Sequence, residues 1–171
     1  MRNKRKIMKL RKLELIDASL MIEWMHDKTV VENLRTDFMS KTLWDCEKFI
    51  KGSWNDKSNL NLAIADENDE YMGTVSLKNI EQKSAEFGIT VRVCAMGKGY
   101  SIWAMKEMLR IAFEERKLEV VYWCVSPINE RAVQFYDKND FCRIEANNLN
   151  CIKGYTEEQI KQYIWYAEKR T

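Results

Sequence analysis

Residues 84–116 read SAEFGITVRVCAMGKGYSIWAMKEMLRIAFEER, and the hydrophobic period changes part-way along. Phe87, Ile89, Val91 and Val93 alternate with Glu86, Gly88, Thr90 and Arg92, the period of two that marks a strand. Further on, Ile102, Met105, Leu109 and Ala112, joined by Met108 and Phe113, recur every three to four residues. That is the spacing of an amphipathic helix, with Lys106, Glu107, Arg110, Glu114 and Glu115 on its outer side. Between the two lies Met96-Gly97-Lys98-Gly99-Tyr100-Ser101. Glycines there let backbone approach a ligand closely, and the first N–H groups of a helix have no intrahelical partner. Together they make a place to hold a phosphate.

Two nucleotide readings fail on spacing. A mononucleotide loop needs GxxxxGK followed by Ser or Thr, which is absent. A dinucleotide fold needs GxGxxG, but the third glycine position holds Ile102, and Glu119 opens the next strand where the ribose-binding acid should close it. What remains is a diphosphate that is held but not cleaved. Residues 120–141, VVYWCVSPINERAVQFYDKNDF, then give a buried-looking strand, Pro127, and a short helix opened by Asn129 and ending near Asn139.

Together the two stretches resemble the Gcn5-related N-acetyltransferase (GNAT) superfamily. Its signature is Arg/Gln-x-x-Gly-x-Gly/Ala and, about thirty residues on, a strand followed by N-x-x-A-x-x-F/L-Y-x-K-x-G-F. Gly99 and Ser101 take the small positions of the first motif; Asn129, Ala132, Phe135, Tyr136, Lys138 and Phe141 match the second. Met96 stands where Arg or Gln is usual and Asp140 where Gly is usual. The Met removes a side-chain contact but leaves the backbone cradle, and Asp enters left-handed turns more readily than most residues. The resemblance covers residues 7–170 and is closest to the branch that acetylates ribosomal proteins and small amines.

The implied fold is α/β, a mixed, mostly antiparallel sheet of six to seven strands with helices on both faces. Residues 1–171 form a single domain, with 1–6 as a basic arm. The implied activity is transfer of acetyl from acetyl-CoA to a primary amine. Coenzyme A would lie on Met96, Gly97, Lys98, Gly99, Tyr100 and Ser101, on the strand backbone at Ile89, Thr90 and Val91, and against Asn129 and Arg131. Asn129 reads equally as a helix cap, and Arg131 as a surface residue. Tyr136 would be the general acid, since a phenol with an ordinary pKa near 10 carries its proton at neutral pH. Glu86 is the candidate base, or else a solvated strand glutamate. A helical excursion between the first two strands would wall the acceptor pocket, which puts specificity on Trp24, Arg35, Asp37, Phe38 and Trp44 unless the tryptophans only pack. The acceptor stays open between a protein N-terminal amine, a polyamine and an amino sugar, and the assembly between monomer and homodimer. A non-catalytic acyl-CoA sensor would keep the loop but need no Tyr136.

Charge places limits on partners. Of 28 basic residues seven fall within residues 1–12 with no acid, leaving the rest at −5 against 26 acids. A mildly acidic body argues against a nucleic-acid groove and is compatible with a cationic acceptor. No apolar run suits a membrane span or a secretory signal, which points to a cytoplasmic protein. Five scattered cysteines and one histidine, His26, read as reduced thiols and a helix-end residue rather than a metal site.

Local patterns complete the expected chain: strands at Ile7–Leu13, Asn59–Ala65, Tyr71–Ile80 and Ser84–Val93, and helices from Asp17 as N-cap to His26 and over residues 42–51. Val30–Phe38 reads as a loose helix or loop. Gly73 suggests a bulge or a close backbone approach. Thr156 with Gln159 and the spacing of Ile160, Tyr163, Ile164 and Ala167 read as a capped helix. The tetrad Tyr163-Ile164-Trp165-Tyr166 and the resemblance favour strands at Phe141–Ala146 and Gln162–Glu168, and these are the expectation.

Overall fold

The computed structural model describes residues 7–171, so the basic arm at residues 1–6 lies outside the described residues. The alternation at Phe87–Val91 becomes β4 (Ser84–Val91), the fourth strand of a sheet ordered as in the chain: β1 (Lys9–Lys12), β2 (Leu60–Ala65), β3 (Tyr71–Lys78), β4, β5 (Val120–Val125) and β6 (Ile164–Lys169). Neighbours are antiparallel except β4 and β5, which are parallel and joined by the crossover helix α4 (Tyr100–Arg110). Their pairing is short. Ser84, Ala85 and Glu86 meet Val120, Val121 and Tyr122, and beyond them no register pairs the two strands.

Helices cover both faces. On one, Ala104, Met105 and Met108 of α4 and Tyr136 of α5 (Glu130–Lys138) pack against Val75, Leu77, Phe87, Val121 and Trp123. On the other, Met21 and Trp24 of α1 (Ala18–Met25) and Cys46 and Ile50 of α3 (Leu43–Ser53) pack against Leu13, Ala63 and Tyr71, with the short α2 (Lys28–Val31) beside them. Each large apolar side chain so buried contributes about 1.5–3 kcal/mol. Met105 and Met108 of the expected α4 stripe are buried and Tyr100 and Ala104 join them, whereas Ile102 and Leu109 are only partly covered. After Arg110 the helix widens into a π turn, Ile111–Glu115, which brings Ala112 back inside.

Several local expectations shift for identifiable reasons. Asp17 does not cap α1; its buried carboxylate accepts from the Glu14 N–H and from Arg11, at 2.8 and 2.9 Å from the two guanidinium nitrogens. Arg11 also reaches Asp69, as does Lys9, so these two basic residues tie β1 to the β2–β3 turn. The β4 strand stops at Val91, because Arg92 turns inward to Glu23, Glu70 and the Tyr71 carbonyl.

Phe141–Ala146 is not a strand. It makes one bridge, Arg143 to Tyr166, and then leaves the sheet in a short helical turn at Ala146–Asn148, where consecutive asparagines favour a turn. The tail resolves its two signals by placing them in series. Thr156 and Gln159 form a reciprocal capping box on α6 (Glu157–Gln162), and Ile164–Lys169 follows as β6, two residues later than expected at its start.

Gly73 marks both features anticipated for it. The β2–β3 register slips beside it, and a Cβ there would lie 2.5 Å from the Thr90 carbonyl oxygen and 2.9 Å from Val91 Cα. Gly73→Ala must therefore push β3 from β4. Thermal or urea unfolding should show a loss of about 1–3 kcal/mol, and an unchanged midpoint would mean the strands separate freely.

Candidate active site

The short β4–β5 pairing opens a cleft between the strands. Gly88, Ile89 and Thr90 of β4 lie on one side of it, Trp123, Cys124 and Val125 on the other, and Asn129, the N-cap of α5, with Ala132 and Tyr136 of α5 border one end; the cleft volume is about 260 Å³. Those same three β4 residues border a second cavity of about 720 Å³ between the sheet and the α1–α3 excursion. The two spaces meet along one strand backbone.

Trp123 braces the cleft. It stacks on Tyr166 at 5.7 Å between ring centres and meets Phe87, Tyr136 and Phe141 edge-on or tilted. Such aromatic pairs contribute about 0.5–1.5 kcal/mol beyond burial. Within this cluster Tyr136 is 8% exposed, and its hydroxyl has no hydrogen-bond partner among the described residues. Burial, followed by the neighbouring Tyr166 and Cys124, pushes its pKa above the ordinary phenol value, so the group stays protonated at neutral pH.

Glu86 is 4% exposed, so it is not a solvated strand residue. Its Oε1 accepts from the Tyr155 hydroxyl and lies 3.5 Å from Lys78 Nζ. Oε2 has no such partner among the described residues. Tyr155 belongs to the loop before α6, packs edge-on against Trp165, and carries the Arg35 guanidinium 4.1 Å above its ring. Arg35 also donates to the Gly154 carbonyl at 2.7 Å, so the excursion and the tail meet over the cleft.

At the far end of β4, Gly97 and Gly99 adopt φ of +70° and +88°, a left-handed region that glycine enters at no steric cost. Gly99 is the N-cap of α4 and supplies no side-chain cap, leaving the first helix N–H groups to point at the loop. Residues 96–101 line neither cavity; Gly97, Lys98 and Gly99 are exposed, while the Tyr100 side chain is buried in the core. Arg131 Nη1 lies 3.1 Å from Met96 Sδ, so a cation from α5 reaches the position where the motif lacks its Arg or Gln. Asn129 caps α5 through the Ala132 N–H and also lines the cleft, and Asp140 takes φ +62° in the glycine place.

Residues 8–142 match the family described as acetyltransferase (GNAT) domain. The chain belongs to the GNAT acetyltransferases. Acetyltransferase PseH of Campylobacter jejuni is 23% identical over 125 residues, covering 73% of this chain and 76% of that protein. Spermidine N-acetyltransferase from Vibrio cholerae, solved with CoA and spermine, superposes with a TM-score of 0.76 at 18% identity over 95% of each chain. A GNAT-family acetyltransferase from Bacillus anthracis gives 0.75 at 20% identity over 95% of this chain and 94% of its own. The protein is thus an acetyl-CoA-dependent N-acetyltransferase on the GNAT fold. No helix among the described residues is long and apolar enough to cross a membrane.

The residues present fit coenzyme A. Open left-handed glycines with no atom closer than 3.9 Å to an added Cβ, an uncapped α4 N-terminus and the adjacent Arg131 form a cradle for phosphates. Trp123, at the cleft, has a buried indole N–H with no partner among the described residues, a spare donor for an amide-rich chain. Of the named backbone residues, Ile89 and Thr90 line both spaces and Val91 neither.

Among the expected acceptor-wall residues, Trp24 and Phe38 line the larger cavity and Arg35 the cleft. Asp37 and Trp44 line neither: Asp37 takes the Ser40 N–H and Trp44 lies exposed under Lys48. His26 meets the Lys41 carbonyl at 2.7 Å and lines neither space itself. Sequence reasoning missed Tyr155 and Lys78. Lys78 was legible as the strand partner of Glu86 only once register was known. Gly99→Glu would place a carboxylate and a strained backbone in the cradle. Calorimetry on the folded variant should show coenzyme A affinity down on the order of a hundredfold, whereas unchanged affinity would move the diphosphate elsewhere.

Proposed function

We propose that this acetyltransferase acts on a primary amine on a small molecule, by direct attack, with Glu86 as base and Tyr136 as acid. The observation that carries the reading is the convergence on one cleft of a protonated phenol without a partner and a carboxylate with one oxygen unclaimed. Acetyl-CoA, when bound, supplies the acetyl group as a thioester, and its sulfur leaves as the C–N bond forms and the C–S bond breaks. Glu86 Oε2 takes the proton that the amine nitrogen loses, while Lys78 and Tyr155 hold Oε1 and so fix the carboxylate's orientation. Tyr136 gives its hydroxyl proton to the departing sulfur. The backbone at Ile89 and Thr90 holds the acyl chain, and the cradle at Gly97–Ser101 with Arg131 and Asn129 holds the diphosphate end. A small acceptor is supported by the Arg35 bridge to Gly154 and Tyr155, which spans the cleft and narrows its opening.

Thiol release from acetyl-CoA, screened against peptides, polyamines and amino sugars, tests the reading. Tyr136→Phe keeps the ring packing and should lower turnover on the order of 10² to 10⁴ with coenzyme A affinity nearly intact. The phenol's raised pKa sets the pH sign: the acid form is lost only as pH rises through a value above its ordinary 10. Wild-type turnover should therefore show no falling limb from Tyr136 below about pH 10. A turnover in Tyr136→Phe equal to wild type would assign the proton to solvent.

Glu86→Gln should slow the reaction most at low pH. The deficit should shrink as pH approaches the acceptor's own pKa, where solvent already supplies the neutral amine. A rise in KM alone, weakened by salt, would instead make Glu86 an attractor of cations.

A further inference from the structure

A sheet face that lies under helices is ordinarily apolar, because burial takes water away from hydroxyls and amides. The face of this sheet toward α1 and α3 is not. Read from the strand register, successive rows across it are Lys78 with Glu86, then Asn61 with Ser76 and Gly88, then Thr74 with Thr90 beside Ala63. Residues two apart on a strand share a face, so the polar members of these rows form one floor, and all of them except Glu86 line the larger cavity. The opposite face carries Val75, Leu77 and Phe87 into the core.

Two hydrogen-bond chains cross this floor and both end in the cavity. The first begins at Trp24 Nε1, which donates to the Tyr71 hydroxyl at 3.0 Å, and that hydroxyl lies 2.7 Å from Thr74 Oγ1. An indole N–H can only donate, so the Tyr71 oxygen accepts from it. Tyr71 is 1% exposed and Thr74 is the one acceptor for its hydrogen among the described residues, so the phenol donates to Thr74 Oγ1. Thr74 is left with its own hydrogen, and no described group accepts it. In the second chain the Ser76 hydroxyl donates to Asn61 Oδ1 at 2.6 Å, which leaves the Asn61 NH₂ hydrogens and the Ser76 lone pairs over. Thr74 and Ser76 are each 8% exposed, too buried to be surface hydroxyls.

Charge does not sort acceptors in this space. Lys41 and Lys48 both interact with Asp45, Asp56 adds a second carboxylate, and Lys78 faces Glu86.

We propose that this floor is the acceptor subsite and that it takes an amine carrying several hydroxyl groups, of the amino-sugar class, whose hydroxyls accept from Thr74 and Asn61 and donate to Ser76 while the amine reaches Glu86. This rests on the amine-acetylation reading above and adds the substrate class. At about 3.3 Å per residue the Ser76 row lies about 7 Å along the sheet from Glu86 and the Thr74 row about 13 Å, within the reach of a ring and its substituents. A hydroxyl both donates and accepts, so it can answer either chain. The methylenes of a polyamine can answer neither, and would seal Thr74 and Asn61 from water without a partner. Facing the floor, Met21 and the edge-on pair Trp24 and Phe38, 5.0 Å between ring centres, give an apolar wall for the C–H face of a ring.

The test is equilibrium binding to protein saturated with coenzyme A. Calorimetry would compare glucosamine and galactosamine with cyclohexylamine, glucamine with hexylamine, and spermidine with all of them. At least one hydroxylated amine should bind about tenfold or more tightly than the bare amine of the same ring or chain, and which one does so separates a ring from an open chain. The preference should fall several-fold in Thr74→Val and persist in Thr74→Ser, which keeps the hydroxyl, with coenzyme A affinity unchanged in both. Thr74→Val also removes the acceptor of Tyr71; if that variant does not fold, Ser76→Ala should lower the preference in the same way. Equal binding by hydroxylated and bare amines, tightest binding by spermidine, no binding by any of the six, or a preference that none of these variants moves would each overturn the proposal. Acetyl transfer does not enter this readout. Selective binding without thiol release would overturn the catalytic reading and leave the hydroxyl subsite standing.

Discussion

Everything in the site depends on the fact that β4 and β5 hold hands for only three residues. Parallel strands that stayed paired would satisfy each other's N–H and C=O groups along their full length and leave no cleft. Here the pairing ends at Glu86 and Tyr122, and the freed backbone of Gly88–Thr90 becomes a shared wall between two spaces. The divergence is maintained from both faces. Trp123 and its ring partners fill the wedge on the α5 side, and the Glu86, Tyr155 and Lys78 contacts occupy the other.

The same constraint explains the glycine loop. β4 must deliver the chain to a helix that crosses back over the sheet, and Arg92 forces the turn by pulling inward to α1 and to the β2–β3 turn. Burying most of a guanidinium is costly unless its donors are matched, and here two carboxylates and a carbonyl match them. The loop that follows can then be built from left-handed glycines rather than from side chains, because its position is set from below.

Much of this was legible in the sequence. The change of period across Gly97–Gly99, the Asn129 helix and the conformational tolerance of Asp140 each rest on local chemistry, and the structure places them as local chemistry predicts. The cleft itself was visible only through family resemblance, since no periodicity reports where a strand pair ends. Tyr155 was hidden by a competing local role: it precedes the Thr156 cap and packs against Tyr163 and Trp165 beside the short helix, a pattern that says nothing of Glu86 sixty-nine residues away. The tail carried two signals, and the expected strand there stands with its start shifted by two residues. A helix signal and a strand signal overlapped, and the chain honoured both by ending α6 at Gln162 and starting β6 at Ile164, with only Tyr163 between.

The way Arg35 is fastened has a thermal meaning. Its carbonyl and ring contacts join segments 119 residues apart without a carboxylate. At an exposed site a cation resting on a ring contributes about 0.5–1 kcal/mol, which is close to RT. The ring contact by itself would be undone in roughly one molecule in three to one in six at any moment. Because neither partner of the cation is an ion, salt loosens it little. On that ring contact alone the roof over the cleft would open thermally, and it is the carbonyl bond at 2.7 Å that lengthens its closed intervals.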